Sequence, residues 1–89
     1  MPPISVGEIG FENAELMLYP NPAMVNLMIR MKIDEEASYE LFNILGGSVA
    51  SGKLIYGQAD IRLNGVANGV YVVRVKTQRG MVSKRFVKG

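Results

Sequence analysis

The chain has 89 residues, a net charge of +2 and a hydrophobic content of 48%, the size of one domain and the composition of a globular one. Histidine and cysteine are both absent, which removes the usual general base, the thiolate nucleophile and the common zinc ligands. Without cysteine the fold is also independent of disulfides and of redox compartment.

Charge is unevenly spread. Residues 1–52 hold two basic and seven acidic side chains, a net −5, whereas residues 53–89 hold eight basic ones and only Asp60, a net +7. Such a split suits docking onto an acidic partner. A nucleic-acid partner is not expected, because the basic residues are spread over several strands and their longest contiguous cluster is Lys84-Arg85. No apolar run reaches the length of a membrane span, so insertion into a membrane is not expected either. Met1-Pro2-Pro3-Ile4 lacks the basic start and apolar middle of a signal peptide. An exported protein would carry its leader upstream, and the chain is therefore expected to be a fragment of a longer one.

Residues 1–14 contain Pro and Gly with little pattern and read as a linker or N-terminal arm; residues 15–89 read as the folded domain. No stretch has clean helical periodicity. Short apolar runs recur at close spacing between turn residues, the pattern of an all-β sandwich or barrel. Residues 16–19 form a first short strand, stopped by Pro20-Asn21-Pro22. Neither proline has an amide to donate, so this segment reads as a rigid bend that carries the chain from one sheet to the other.

Residues 26–33 alternate, with Leu27, Ile29, Met31 and Ile33 on one face and Asn26, Arg30 and Lys32 on the other. Residues 34–38 read as a polar turn, since Asp34-Glu35-Glu36 lacks the ligand spacing of a calcium loop. A third strand follows over residues 39–45, ended by Gly46-Gly47. Residues 48–50 resume strand character before Ser51-Gly52, and residues 53–56 form another short strand. Residues 57–59 read as a turn. Residues 60–63 place Ile61 and Leu63 inward. Asn64-Gly65 and Asn68-Gly69 are turn dipeptides. Residues 70–77 form the most β-prone segment, with Tyr71, Val73 and Val75 on the core face. Residues 81–88 close a chain of about seven strands.

Four segments, in this order, resemble the type A C-terminal sorting domains of the Bacteroidetes type IX secretion system. They are Leu18-Tyr19-Pro20-Asn21-Pro22-Ala23, the strand–turn–strand segment from Leu41 to Val49, Asn68-Gly69-Val70-Tyr71-Val72-Val73-Arg74-Val75, and Ser83-Lys84-Arg85-Phe86-Val87-Lys88. The match covers roughly residues 15–88. Asn43 stands where the family usually has Asp, and Leu45-Gly46-Gly47 where it has a hydroxyl-Gly-basic turn.

The resemblance implies an immunoglobulin-like antiparallel sandwich of seven strands. It also implies a secretion signal, recognised by the outer-membrane shuttle and translocon of that system, which exports an attached upstream passenger. In most members a surface sortase then removes the domain. The route runs through the periplasm to the cell surface or the medium. The residues it marks for partner recognition are Pro20, Asn21, Pro22, Gly46, Gly69, Val70, Tyr71, Lys84, Arg85, Phe86, Val87 and Lys88. In the residues themselves, Pro20-Asn21-Pro22 and the Gly-containing turns also serve as shape formers. The 84–88 segment carries more cations than packing requires, although lysines on an edge strand also guard against aggregation.

No enzyme, cofactor or metal site is expected. Two other readings stand beside the sorting signal: an immunoglobulin-like adhesion or carbohydrate-binding module, and a retained domain of a secretion-system component.

Overall fold

A computed structural model describes residues 16–33 and 35–89. The arm expected at residues 1–14 lies outside the described residues. Seven strands follow in order: β1 (Leu16–Tyr19), β2 (Asn26–Met31), β3 (Ala37–Asn43), β4 (Ser48–Leu54), β5 (Gln58–Arg62), β6 (Gly69–Thr77) and β7 (Gly80–Lys88). No helix occurs among the described residues. The strands form two antiparallel sheets, β1-β2-β5 and β4-β3-β6-β7, as the immunoglobulin-like reading requires.

Alternation of apolar and polar side chains decides which face of each strand is inside. On β2, Leu27, Ile29 and Met31 are buried while Arg30 is exposed. On β6, Tyr71, Val73 and Val75 are buried while Arg74 and Lys76 face water. Ile61 and Leu63 point inward as expected. The two apolar faces close on one another around Leu16, Leu41, Val82 and Phe86, and no polar or charged residue is wholly buried among the described residues. Burial of apolar area, rather than a polar network, therefore holds the sheets together.

β4 departs from the constant-type immunoglobulin arrangement, in which the fourth strand accompanies the first, second and fifth. Here it pairs with β3. A short turn over residues 44–47 keeps it there, and the two-residue turn Tyr56-Gly57 then throws the chain across to β5. That turn is closed by the Ile55 amide donating to the Gln58 carbonyl at 2.8 Å and the reverse bond at 3.0 Å. Both central residues have positive φ, 53° at Tyr56 and 76° at Gly57, as a type I′ turn requires. Gly57 is also pressed against β2. Its carbonyl accepts from the Met31 amide at 2.8 Å, and a Cβ there would collide with the Met31 carbonyl oxygen.

Three sequence expectations are corrected. Residues 20–22 do not carry the chain into the other sheet, because β1 and β2 are antiparallel neighbours in one sheet. Their connection instead reaches out to the edge of β7, where Ala23 pairs in parallel with Lys88, and then returns. Ser51-Gly52 does not interrupt a strand, for β4 runs through both. Gly52 leaves room there for Tyr39, its partner across the ladder: a Cβ would lie 2.7 Å from the Tyr39 hydroxyl, and the ring would have to shift to admit it. Several boundaries also shift. Ile44, Leu45 and Tyr56 are turn residues, and Ala37, Ser38, Gln58 and Ala59 belong to strands.

Two glycines with similar φ separate backbone strain from steric clash. At Gly65 (φ +79) a Cβ would have nothing within 4 Å, unlike at Gly57. Gly65→Ala is expected to cost about 1–2 kcal/mol, the penalty of a left-handed backbone. Gly57→Ala adds the collision with Met31 and should cost about 3 kcal/mol or more. Thermal unfolding followed by circular dichroism compares the two; equal drops in Tm would show that the Gly57–Met31 approach relaxes freely.

Candidate functional site

β7 is an edge strand of the four-stranded sheet. Its alternation turns Val82 and Phe86 into the core and leaves Met81, Arg85 and Val87 exposed. Phe86 stacks on Tyr71 with ring centroids 5.7 Å apart and planes 24° from parallel. The Tyr71 hydroxyl donates to the Ala67 carbonyl at 2.5 Å. This is the tyrosine corner of immunoglobulin-like sandwiches, in which a Tyr near the start of the sixth strand ties down the loop before it. One stacked pair thus anchors the loop over residues 63–68 and the end of β7 together.

The β1–β2 connection closes the same corner. Asn21 Oδ1 accepts from the Val87 amide at 3.0 Å. The Ala23 amide donates to the Val87 carbonyl at 2.7 Å, and the Gly89 amide donates to the Ala23 carbonyl at 2.8 Å. Both backbone groups of Val87 point away from β6, so they would otherwise lie on an open sheet edge. Pro20 and Pro22 both follow cis peptide bonds, and with Asn21 between them they are exposed while Ala23 is fully buried.

The terminal cations divide by role. Lys84 Nζ donates to the Leu16 carbonyl at 3.0 Å, bridging from β7 to β1 of the other sheet. Lys88 Nζ donates to Asn68 Oδ1 at 3.2 Å, securing the turn before β6. Arg85 is exposed and makes no side-chain bond among the described residues.

The structure therefore gathers most of the residues marked in the sequence. Pro20, Asn21, Pro22, Gly69, Val70, Tyr71, Arg85, Phe86, Val87 and Lys88 meet at one corner. Lys84 lies further down β7, opposite Val73. Gly46 stands apart in the β3–β4 turn, at the same end of the sandwich, because Asn43 pairs with Tyr71.

That turn is held by Asn43. Its Oδ1 accepts from the amides of Leu45 at 3.0 Å and Gly47 at 2.9 Å. Either an amide or a carboxylate oxygen serves this purpose, so the exchange of Asp for Asn keeps the turn. Ile44 and Leu45 project from it, 74% and 90% exposed. Sequence reading placed these two in a strand and missed the Asn21–Val87 bond. Its one available signal was a short Asn side chain beside a turn, which bonds its own backbone two residues on.

Among the described residues no cluster of acidic side chains is arranged to hold a metal ion. Nor is any helix among them long and apolar enough to cross a membrane.

Residues 17–89 match the family model described as the secretion system C-terminal sorting domain. The chain belongs to this family. The domain is thus a type IX C-terminal sorting signal, and its family directs export to the cell surface or beyond. No curated protein matches the chain. Among solved structures it is similar to a chain of PorZ, a surface component of the type IX secretion system of Porphyromonas gingivalis. The TM-score is 0.77 and the identity 20%, over 94% of this chain and 12% of that one. The chain thus spans about an eighth of the PorZ chain, and the likeness shows the fold alone.

Two substitutions test the corner's construction. Tyr71→Phe keeps the stack and removes the bond to Ala67, and should cost about 0.5–1.5 kcal/mol in denaturant unfolding. Asn21→Ala should cost a similar amount. Hydrogen exchange then distinguishes them: the Val87 amide should lose protection in Asn21→Ala and keep it in Tyr71→Phe.

Proposed function

We propose that this domain acts by binding, as the folded tag through which the outer-membrane shuttle and translocon of the type IX system take up an upstream passenger from the periplasm. A surface sortase then cleaves the domain from that passenger. Family membership over residues 17–89 carries this reading. Catalysis has no part in it, consistent with a chain that has neither His nor Cys.

The corner supplies a surface a partner can read. Pro20, Asn21 and Pro22 are exposed, as is Arg85, and Val70 and Val87 are 39% and 42% exposed. Tyr71 and Phe86 are buried, so they shape this surface from beneath, and Lys84 and Lys88 hold its strand in place. In this division the exposed residues make the contacts and the buried ones set their geometry.

A second reading is favoured by the resemblance in fold to a chain of PorZ, itself called an essential surface component. In that case the domain stays attached and works within a machinery component.

The test is a secretion assay with the 89-residue chain fused to the C-terminus of a periplasmic reporter. The fusion is expressed in a host with a working type IX system and in an isogenic host lacking it. Export in the first host and periplasmic retention in the second is the expected result. A reporter of its own original size outside the cell indicates cleavage; the full fusion indicates a retained domain. Retention in both hosts with the domain folded would overturn the sorting role and favour an adhesion module. Deleting residues 84–88 should abolish export. Because it also removes the buried Phe86, it is paired with Arg85→Glu, which should impair export of a domain that still melts cooperatively.

A further inference from the structure

The outward face of the four-stranded sheet carries charge that the described residues leave largely unneutralised. Lys53 on β4 and Lys76 on β6 flank Ser38 in one row across the sheet. Arg74 stands in the next row beside Glu40, and Arg85 in the row after, beside Val72 and Phe42. Adjacent strands are about 4.8 Å apart, so the backbones of Lys53 and Lys76 are separated by about 10 Å. All four cations are exposed, and Glu40 is the one carboxylate in these rows.

None of these cations forms an ion pair among the described residues. The ion pair present there joins Glu35 to Arg79, outside these rows. Arg74 lies over the Phe42 ring, 4.8 Å from its centroid; a cation on an aromatic face keeps its full charge. The outer face of the three-stranded sheet differs. There Arg30 and Arg62 are balanced in part by Asp60, which accepts from Asn26 Nδ2 at 2.8 Å.

Like charges gathered on one face repel and add nothing to folding, but they raise the potential that steers an acidic partner. The chemistry between them narrows the partner further. Phe42 and Val72 are half-buried at the centre of the sheet, and Val70 and Val87 continue the apolar strip to its end. An apolar centre with charge at its rim is the anatomy of a protein–protein interface, with aromatic and Arg side chains as the usual anchors. A polyanionic glycan or a lipid headgroup layer would answer the charges and leave the strip uncovered.

We propose that this face docks onto an acidic protein surface, with Phe42 and Val72 at the centre of the contact and Lys53, Lys76 and Arg85 steering and aligning it. The inference rests on the reading of the chain as a sorting tag and names a second contact surface for it, continuous with the corner through Arg85 and Val87.

Reporter fusions carrying the full chain test it. Lys53→Glu and Lys76→Glu together should reduce export at least about tenfold, since like charges brought together across an interface strongly disfavour it. Arg30→Glu with Arg62→Glu, on the other sheet, should leave export near that of the parent. Thermal unfolding checks that each domain folds; if the double reversal does not, Lys53→Gln with Lys76→Gln replaces it, with a smaller drop expected.

A photoreactive phenylalanine analogue at position 42 should give a protease-sensitive adduct in the exporting host, lost in the reversed variant. Export unchanged by the face variants would overturn the proposal while leaving the sorting role intact. A protease-resistant adduct would overturn the protein partner in favour of an anionic glycan or lipid. Failure of the parent fusion to be exported would instead overturn the sorting role itself.

Discussion

The three backbone and side-chain bonds that residues 21–23 make with Val87 and Gly89 are the constraint on which this corner depends. A two-layer sandwich is held by apolar burial between its sheets, which resists separation but does little to fix sliding or fraying at the edges. Here a connection belonging to one sheet lends a residue to the edge of the other. The pairing of Ala23 with Lys88 covers the end of an otherwise open strand. Lys84 makes a second tie between the sheets through the Leu16 carbonyl. Tyr71 and Phe86 make the third support from inside the core.

These ties divide the basic C-terminal half into cations with structural work and cations without it. Lys84 and Lys88 direct their donors to carbonyl and amide oxygens within the fold. Lys53, Lys76 and Arg85 remain exposed on the outer sheet face, and Arg74 rests on Phe42 with its charge intact. A run such as Lys84-Arg85-Phe86-Val87-Lys88 reads as one basic motif in sequence. In space it is a strand whose alternate residues face different surroundings, so neighbouring cations have different partners.

The turns show the same dependence on a few groups. At the β3–β4 turn, one Asn side chain satisfies two amides and leaves Ile44 and Leu45 projecting into water. At the β4–β5 turn, Tyr56 accepts a positive φ that Asn or Gly adopts more readily, because the two-residue connection between sheets leaves no other backbone path. Gly57 beside it has no alternative, being pressed against the Met31 carbonyl.

Local pattern by itself determined the all-β class, the number of strands and the inward faces of β2, β5 and β6. The period of two is a property of each strand and needs no partner to be visible. The order of Tyr19-Pro20-Asn21-Pro22, Tyr71 and the basic terminus was also visible, and with it the family. Only the tertiary structure decided which strands share a sheet, that Ser51-Gly52 continues a strand beneath Tyr39, and that the proline segment returns to its own sheet after capping β7. It also decided which lysines bond within the fold and which face outward. Each of these depends on contacts between residues distant in the chain, up to 68 positions apart for Lys84 and Leu16. Such contacts are set by how two twisted sheets meet, a geometry that no single segment encodes.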